Sequence, residues 1–240
     1  MKAVNLLLAL AVGSMETGAV AAEKYLPSLY NFSVMYDFNP VKGKVKELTT
    51  HIISKDEGYD YKINVSLTPD GCIQSLTRTG KYAYGEAHLT KQGQQLTGTA
   101  NNSPVAYALD EHCNLTGMSD KYGKTTYRTN KAGFIVETTL NDRRFSSHTY
   151  NDNGSLVRAE FYMYDGTVLP TEVTYKDEVM KPFDAEIKTL SPAGGGYYAR
   201  NVCQYDKNQV PVKCSAFITE TKDGVAKERE DISSTEVVYY

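Results

Sequence analysis

Tyr61-Lys-Ile-Asn-Val-Ser-Leu67-Thr68-Pro69-Asp70-Gly71-Cys72-Ile-Gln-Ser-Leu76 alternates apolar and polar residues up to Leu67, breaks at Thr68 to Gly71, and returns to apolar residues at Ile73 and Leu76. Alternation at period two sends successive side chains to opposite faces, the pattern of a half-buried β-strand. Gly71 supplies the positive φ that a tight reversal demands. The stretch reads as a β-hairpin.

Working outward, the same signal returns at Lys91-Gln92-Gly93, Asn130-Lys131-Ala132-Gly133 and Asn151-Asp152-Asn153-Gly154, with Asp110-Glu111-His112-Cys113-Asn114 filling the gap in the series. The spacing of roughly 20 residues is two strands plus a turn. Alternating segments flank these turns, among them Phe134 to Thr139, Ser147 to Tyr150 and Leu156 to Tyr162. Helical periodicity is weak throughout, so no helix of ten residues is expected after the N-terminal segment. The expected fold is all-β: an antiparallel meander of successive β-hairpins, curled into a barrel-like or sandwiched sheet, forming a single domain over residues 23–240.

Residues 1–22 read as an export signal. Met1-Lys2 is a short positive start, Ala3 to Val12 an apolar run, and Gly18 to Ala22 a small-residue cleavage zone. The run is far short of the roughly 20 residues of a membrane-spanning helix. Leu10-Ala11-Val12-Gly13-Ser14 has the form of a lipoprotein signal with serine at the position where lipidation needs a thiol. The chain is therefore expected to be exported, to the periplasm or cell envelope.

Four cysteines, Cys72, Cys113, Cys203 and Cys214, are an even count in an exported chain and point to two disulfides. Cys203 and Cys214 flank Tyr205 to Pro211 symmetrically, so a hairpin centred between Asn208 and Gln209 sets them opposite each other. Cys72 is then left to pair with Cys113. In a flat meander, three intervening strands would hold these two about 19 Å apart, against the 5.5–6 Å or so of a bridge. The sheet must roll up or be interrupted between them, and rolling is the expectation.

Net charge is −3 with no Lys/Arg run, which removes the electrostatic footprint of a nucleic-acid binder. No nucleophile elbow, HExxH or P-loop occurs. The four histidines, His51, His88, His112 and His148, lie in separate segments. His148 neighbours Ser146, Ser147 and Asp152, but adjacent strand residues face opposite ways, so it reads as a sheet-surface histidine. Asp110-Glu111-His112 is one acidic turn, too few ligands for a metal. Asn151 to Gly154 lacks the acids of a calcium loop, and Gly194-Gly195-Gly196 precedes a strand, so it reads as a connector. No catalytic residue, cofactor site or metal site is expected.

Tyr36-Asp37-Phe38-Asn39-Pro40-Val41-Lys42-Gly43-Lys44-Val45-Lys46 resembles the opening of the YnfC family of envelope lipoproteins. Gly71-Cys72, the segment from Cys203-Gln-Tyr-Asp206 to Pro211-Val-Lys-Cys214, and Tyr239-Tyr240 match as well. The resemblance implies an envelope lipoprotein without an established activity, and this chain departs from it at Ser14, where the family carries its lipidated cysteine. Tyr150-Asn151, Tyr164-Asp165 and Tyr205-Asp206 loosely resemble the tyrosine-aspartate repeats of Rhs-type shell proteins over residues 125–215, which implies hairpins stacked into a continuous curved sheet.

Tyrosine is the unusual quantity: 19, against seven phenylalanines and no tryptophan. Tyrosine suits half-wet faces. The functional expectation is an exported, non-enzymatic protein that binds or scaffolds an envelope protein, peptide or glycan through a tyrosine-rich surface, with Tyr82, Tyr84, Tyr162, Tyr164, Tyr197 and Tyr198 as candidate contacts. The alternatives are an outer-membrane β-barrel, which requires a continuous apolar band on its outer face, and a hydrolase with an unfamiliar site.

Overall fold

The computed structural model describes residues 24–82, 85–191 and 195–240. The export segment with Ser14, Tyr84, and Gly194 lie outside the described residues. One helix, α1 (Pro27–Tyr36), precedes sixteen strands. In chain order these are β1 (Val45–Ser54), β2 (Tyr59–Leu67), β3 (Ile73–Lys81), β4 (Ala87–Gln92), β5 (Gln95–Ala100), β6 (Ser103–Leu109), β7 (Leu115–Asp120) and β8 (Gly123–Thr129). There follow β9 (Ile135–Leu140), β10 (Arg143–Tyr150), β11 (Leu156–Tyr162), β12 (Val168–Tyr175), β13 (Ala185–Leu190), β14 (Gly196–Tyr205), β15 (Pro211–Lys222) and β16 (Val225–Tyr239).

Each strand pairs antiparallel with its neighbour in sequence, and β1 pairs with β16 from Val45↔Tyr239 to Ser54↔Asp231, closing the sheet into a barrel. The all-β meander and its rolling are as the hairpin pattern dictates. The wall is lopsided. Strands β4 to β13 have six to eight residues each, whereas β14, β15 and β16 have ten, twelve and fifteen. Period-two alternation fixes what points inward: Tyr61, Ile63, Val65 and Leu67 of β2 are buried, while Asp60, Lys62 and Asn64 face out.

The helix corrects the expectation that none of ten residues would form. Ser28, Leu29, Tyr30, Asn31, Phe32, Ser33 and Tyr36 are all buried, because α1 lies inside the barrel and is enclosed on most sides. The helix's buried set includes the polar Ser28, Asn31 and Ser33 while its most exposed residue is the apolar Val34, so the 3.6-residue period that reveals surface helices is missing. Pro27 sits in its first turn, where its fixed φ and lost N–H cost nothing. Asp37 ends it in the left-handed region at φ 58°, and the Phe38 N–H reaches back to Ser33 O at 3.3 Å.

Four of the recurring turns share one mechanism. Asp110 Oδ1 accepts the amides of His112 and Asn114, Asn130 Oδ1 those of Ala132 and Phe134, Asn151 Oδ1 those of Asn153 and Ser155, and Asp206 Oδ1 those of Asn208 and Val210. The fourth residue of each takes positive φ: Cys113, Gly133, Gly154 and Gln209. These turns all lie at one end of the barrel, since alternate connections of a meander share an end, and α1 docks on them. Ser28 Oγ donates to Gly71 O at 2.7 Å, Asn31 Nδ2 donates to Gly133 O at 2.9 Å, and Asn31 Oδ1 accepts the Ile135 N–H at 3.2 Å.

Cys203 and Cys214 are direct cross-strand partners and are bridged, and Cys72 is bridged to Cys113 with Cα atoms 5.4 Å apart. Strands β4 and β5 stand between β3 and β6 in the wall, so a flat sheet would hold the two turns roughly 14 Å apart. The bridge therefore requires the sheet to curl between them, in keeping with the closed barrel.

Candidate functional site

The interior is packed on one side and open on the other. Leu29, Phe32 and Tyr36 of α1 pack against inward residues of β1 to β9, including Leu48, Ile63, Leu76, Leu89, Leu96 and Ile135. Three cavities of about 630, 380 and 340 Å³ remain around the C-terminal end of α1, and Asp37 borders all of them.

The largest is a charged chamber against the tall wall of β14, β15, β16, β1 and β2. Strand alternation on β16 turns Arg229 and Asp231 inward together. Arg229 Nη1 donates to Glu220 at 2.5 Å, and its Nε lies 3.5 Å from Asp231 Oδ2. Lys227 reaches Glu57 at 2.6 Å. Four carboxylates, those of Asp37, Glu57, Glu220 and Asp231, line the chamber against the single guanidinium of Arg229. Ser54 stands opposite both Asp231 and Tyr59 in register, hence on the same inward face. Ser54 Oγ and Asp231 Oδ1 are buried without a hydrogen-bond partner, as is Arg229 Nε. Buried polar atoms are ordinarily satisfied; these atoms, with Thr50 Oγ1, are closed off from the open space of the chamber, and Ser54 is not part of its lining.

Tyr59, Tyr61, Tyr82 and Tyr197 also line it. The Tyr82 ring lies 4.4 Å from that of Tyr61 and 5.6 Å from that of Tyr59, and its hydroxyl donates to Asp37. Burial, then the negative charge of Asp37, pushes the hydroxyl of Tyr61 well above the usual phenol range. Tyr82 shifts the same way, through burial and its hydrogen bond to Asp37. Both stay protonated hydrogen-bonding groups at neutral pH.

The second cavity lies across Tyr82, bordered by Arg78, Asn101, Asp120 and Tyr127. Arg78 is 3% exposed, stacks on the Tyr82 ring at 4.2 Å, and donates to Gly85 O and Asn101 Oδ1. The third cavity is apolar in its lining, with Val34, Phe38, Leu156, Val173 and Phe183 among its walls. It shares Asp37, Phe38, Phe183, Ile187 and Asn201 with the charged chamber, so these residues wall both.

The six candidate tyrosines do not form one surface. Tyr82 and Tyr197 line the lumen. Tyr162 faces outward, with Arg144 over its ring and its hydroxyl on Glu160, while Tyr164 is an exposed turn residue under Arg143 and Tyr198 is outward on β14. Tyr84 lies outside the described residues. Sequence reasoning missed Asp37, Arg229 and Asp231. The signal was present in Glu228-Arg229-Glu230-Asp231, where alternation puts one Arg–Asp pair on one face.

The remaining candidates are local structure. Asp110 is a turn-former: burial would raise its carboxyl, and hydrogen bonds from Asn114 and the His112 amide outweigh that and lower it. Asn151 and Asn153 both donate to Glu178. Gly195 O accepts the Ser191 N–H in the turn before β14. His148 is not on the sheet surface. It opposes buried Ala159, with its ring 6.3 Å from that of Phe161, and burial holds its pKa below the usual imidazole value despite a backbone hydrogen bond with Ile135. The folded state thus favours neutral imidazole, and its contribution is lost as pH falls through the unfolded value of about 6.5. Between about pH 7.5 and about 5.5, the melting temperature of the wild type should fall more than that of His148→Gln, and equal slopes would contradict this.

The sequence model of the Uncharacterised protein family (UPF0257) matches residues 1–240. The UPF0257 lipoprotein YnfC of Escherichia coli (strain K12 / DH10B) is 22% identical over 233 residues, covering 90% of this chain and 89% of that protein. The UPF0257 lipoprotein YnfC of Escherichia coli O17:K52:H18 (strain UMN026 / ExPEC) is 21% identical with the same coverage. Among solved structures, a porin-like protein from Bacteroides uniformis superposes with a TM-score of 0.42 at 9% identity, over 81% of this chain and 96% of that one.

Proposed function

The chain belongs to the Uncharacterised protein family (UPF0257), and from that membership and the barrel interior we propose that it is an envelope-associated, non-catalytic binding protein that holds a small molecule inside its lumen. The observation that carries this is the set of chambers beside α1. Their individual volumes, about 340 to 630 Å³, match the roughly 300–1,000 Å³ of ligand pockets, and mixed aromatic and polar linings are what such pockets use. The family supports an envelope location through relatives named as lipoproteins. The tyrosine count pointed to a tyrosine-rich sheet surface; Tyr82 and Tyr197, which line the chamber together with its carboxylates, support placing that surface in the interior.

The outer face argues against a membrane-spanning barrel. Asp60 with His51, Thr49 with Asn64, and Arg128, Arg144 and Glu137 form polar pairs on it across neighbouring strands. An outward arginine or lysine at the bilayer midplane costs about 2–4 kcal/mol. Against a hydrolase, no histidine lines any of the three chambers, and their shifted hydroxyls are tyrosines made less acidic, the wrong direction for a nucleophile.

Native mass spectrometry of the full chain, isolated from envelope extract without denaturation, tests the proposal. A small-molecule adduct is expected. Ala216 faces inward between Asn201 and Asp231, so Ala216→Trp should fill the chamber and abolish the adduct. A wild type that carries no adduct, or an adduct that survives Ala216→Trp, would count against lumen binding.

A further inference from the structure

We propose that the cavity of about 380 Å³ lined by Arg78 is a second ligand site, separate from the charged chamber, and that it takes a monocarboxylate with an apolar body. This goes beyond the reading of the charged chamber and does not depend on it. Three features of the cavity converge on that class.

The first is an arginine without a counter-charge. Arg128, Arg144, Arg158 and Arg229 each pair with a carboxylate, and Arg143 and Arg200 are exposed. Arg78 is the one buried arginine among the described residues, and it forms no ion pair with any of them. A buried charge is strongly unfavourable until an opposite charge joins it. The ring faces of Tyr82 and Tyr36, 4.2 and 5.6 Å from the guanidinium, offset part of that cost without neutralising it.

The second is its unused donors. A guanidinium carries five N–H groups. Nε donates to Gly85 O at 3.1 Å and Nη2 to Asn101 Oδ1 at 2.8 Å, which holds the head against the β3–β4 and β5–β6 connections. Nη1 makes no hydrogen bond, yet it is not among the unpartnered atoms closed off from open space. It can therefore be reached. Nη1 and the spare hydrogen of Nη2 offer planar donors of the kind a carboxylate accepts. Asp37 and Asp120 also line the cavity but are engaged elsewhere: Asp37 accepts the Tyr82 hydroxyl, and Asp120 Oδ1 accepts the Tyr122 amide at 2.8 Å.

The third is the rest of the wall. Met35, Val105, Tyr107 and Met118 give the cavity apolar sides, which a carboxylate as small as acetate would leave uncovered. Asp37 and Asp120 would repel a second negative charge, which disfavours dicarboxylates and phosphate dianions. Lys121, on the β7–β8 connection, adds a second positive charge to the lining.

Isothermal titration of the full chain with phenylbutyrate, phenylbutanol and phenyl phosphate tests the assignment. Phenylbutyrate should bind one-to-one and at least about tenfold tighter than either of the others. Arg78→Met keeps a long unbranched side chain without the charge; it should lose about tenfold for phenylbutyrate and leave phenylbutanol unchanged. Ala216→Trp, which fills the other chamber, should leave phenylbutyrate binding as it is. Phenylbutanol or phenyl phosphate binding as tightly as phenylbutyrate, no saturable binding of phenylbutyrate, or its loss in Ala216→Trp would each overturn the assignment. None of these results bears on the charged chamber, whose reading stands or falls on the adduct found with the protein from envelope extract. The wild-type series decides the ligand class even if Arg78→Met fails to fold.

Discussion

Removal of the Cys72–Cys113 bridge is expected to destabilise the fold by about 4 kcal/mol, the larger effect of the two bridges. The bridge closes a separation of 41 residues, whereas Cys203–Cys214 closes 11 and, on the same chain-entropy argument, contributes about 3 kcal/mol. Context widens the difference. Cys203 and Cys214 sit within a hairpin already aligned by pairs from Gly196↔Thr221 to Tyr205↔Pro211, so that register persists without the sulfurs. The other bridge is what draws the turns before β3 and β7 together, and the first of these carries the Gly71 carbonyl that anchors Ser28 of the helix. Denaturant melts of Cys72→Ala/Cys113→Ala and Cys203→Ala/Cys214→Ala should show the first pair losing more. A larger loss for the second would mean that the hairpin, and not the rolled wall, depends on its sulfurs.

Phe32→Ala should cost about 3–5 kcal/mol. Phe32 is 1% exposed, meets Tyr107 edge-to-face at 5.0 Å and stacks with Tyr36 at 6.2 Å. Its removal leaves a void between the helix and the barrel wall, and rigid staves cannot move in to fill it. Val34, on the same helix, is 59% exposed, so Val34→Ala should change stability by less than about 0.5 kcal/mol. The contrast follows from Phe32 packing against Tyr107 of the barrel wall while Val34 faces open space. Comparable effects for the two substitutions would place α1 elsewhere.

Much of this architecture was legible because strand alternation and turn chemistry are local. The side chain of Asn130 or Asp206 caps its own turn, so the hairpin is written within five residues. The turns at the opposite end were harder to read. Asn101-Asn102 and Asn141-Asp142 reach positive φ without glycine, so no glycine marks those two reversals in the sequence. The helix was hidden for the opposite reason: Leu29, Phe32 and Tyr36 meet one wall while Tyr30 meets Phe134 on another, so no polar face marks it. The lumen site depends on which strands closure brings together. Asp231 meets Ser54 only because β16 returns to β1, a pairing between residues far apart in the chain. Tyr82 and Tyr197, picked out by residue type, do reach that interior, and Tyr162, Tyr164 and Tyr198 share the type but not the place.

The central claim is that the barrel closes around α1 and leaves open chambers beside it. A crystal structure of the full chain tests it most directly. It should show β1 paired with β16, α1 inside, and open space bordered by Asp37 against the wall of β14, β15 and β16. An interior filled by side chains, or α1 seated on the outer sheet, would contradict it.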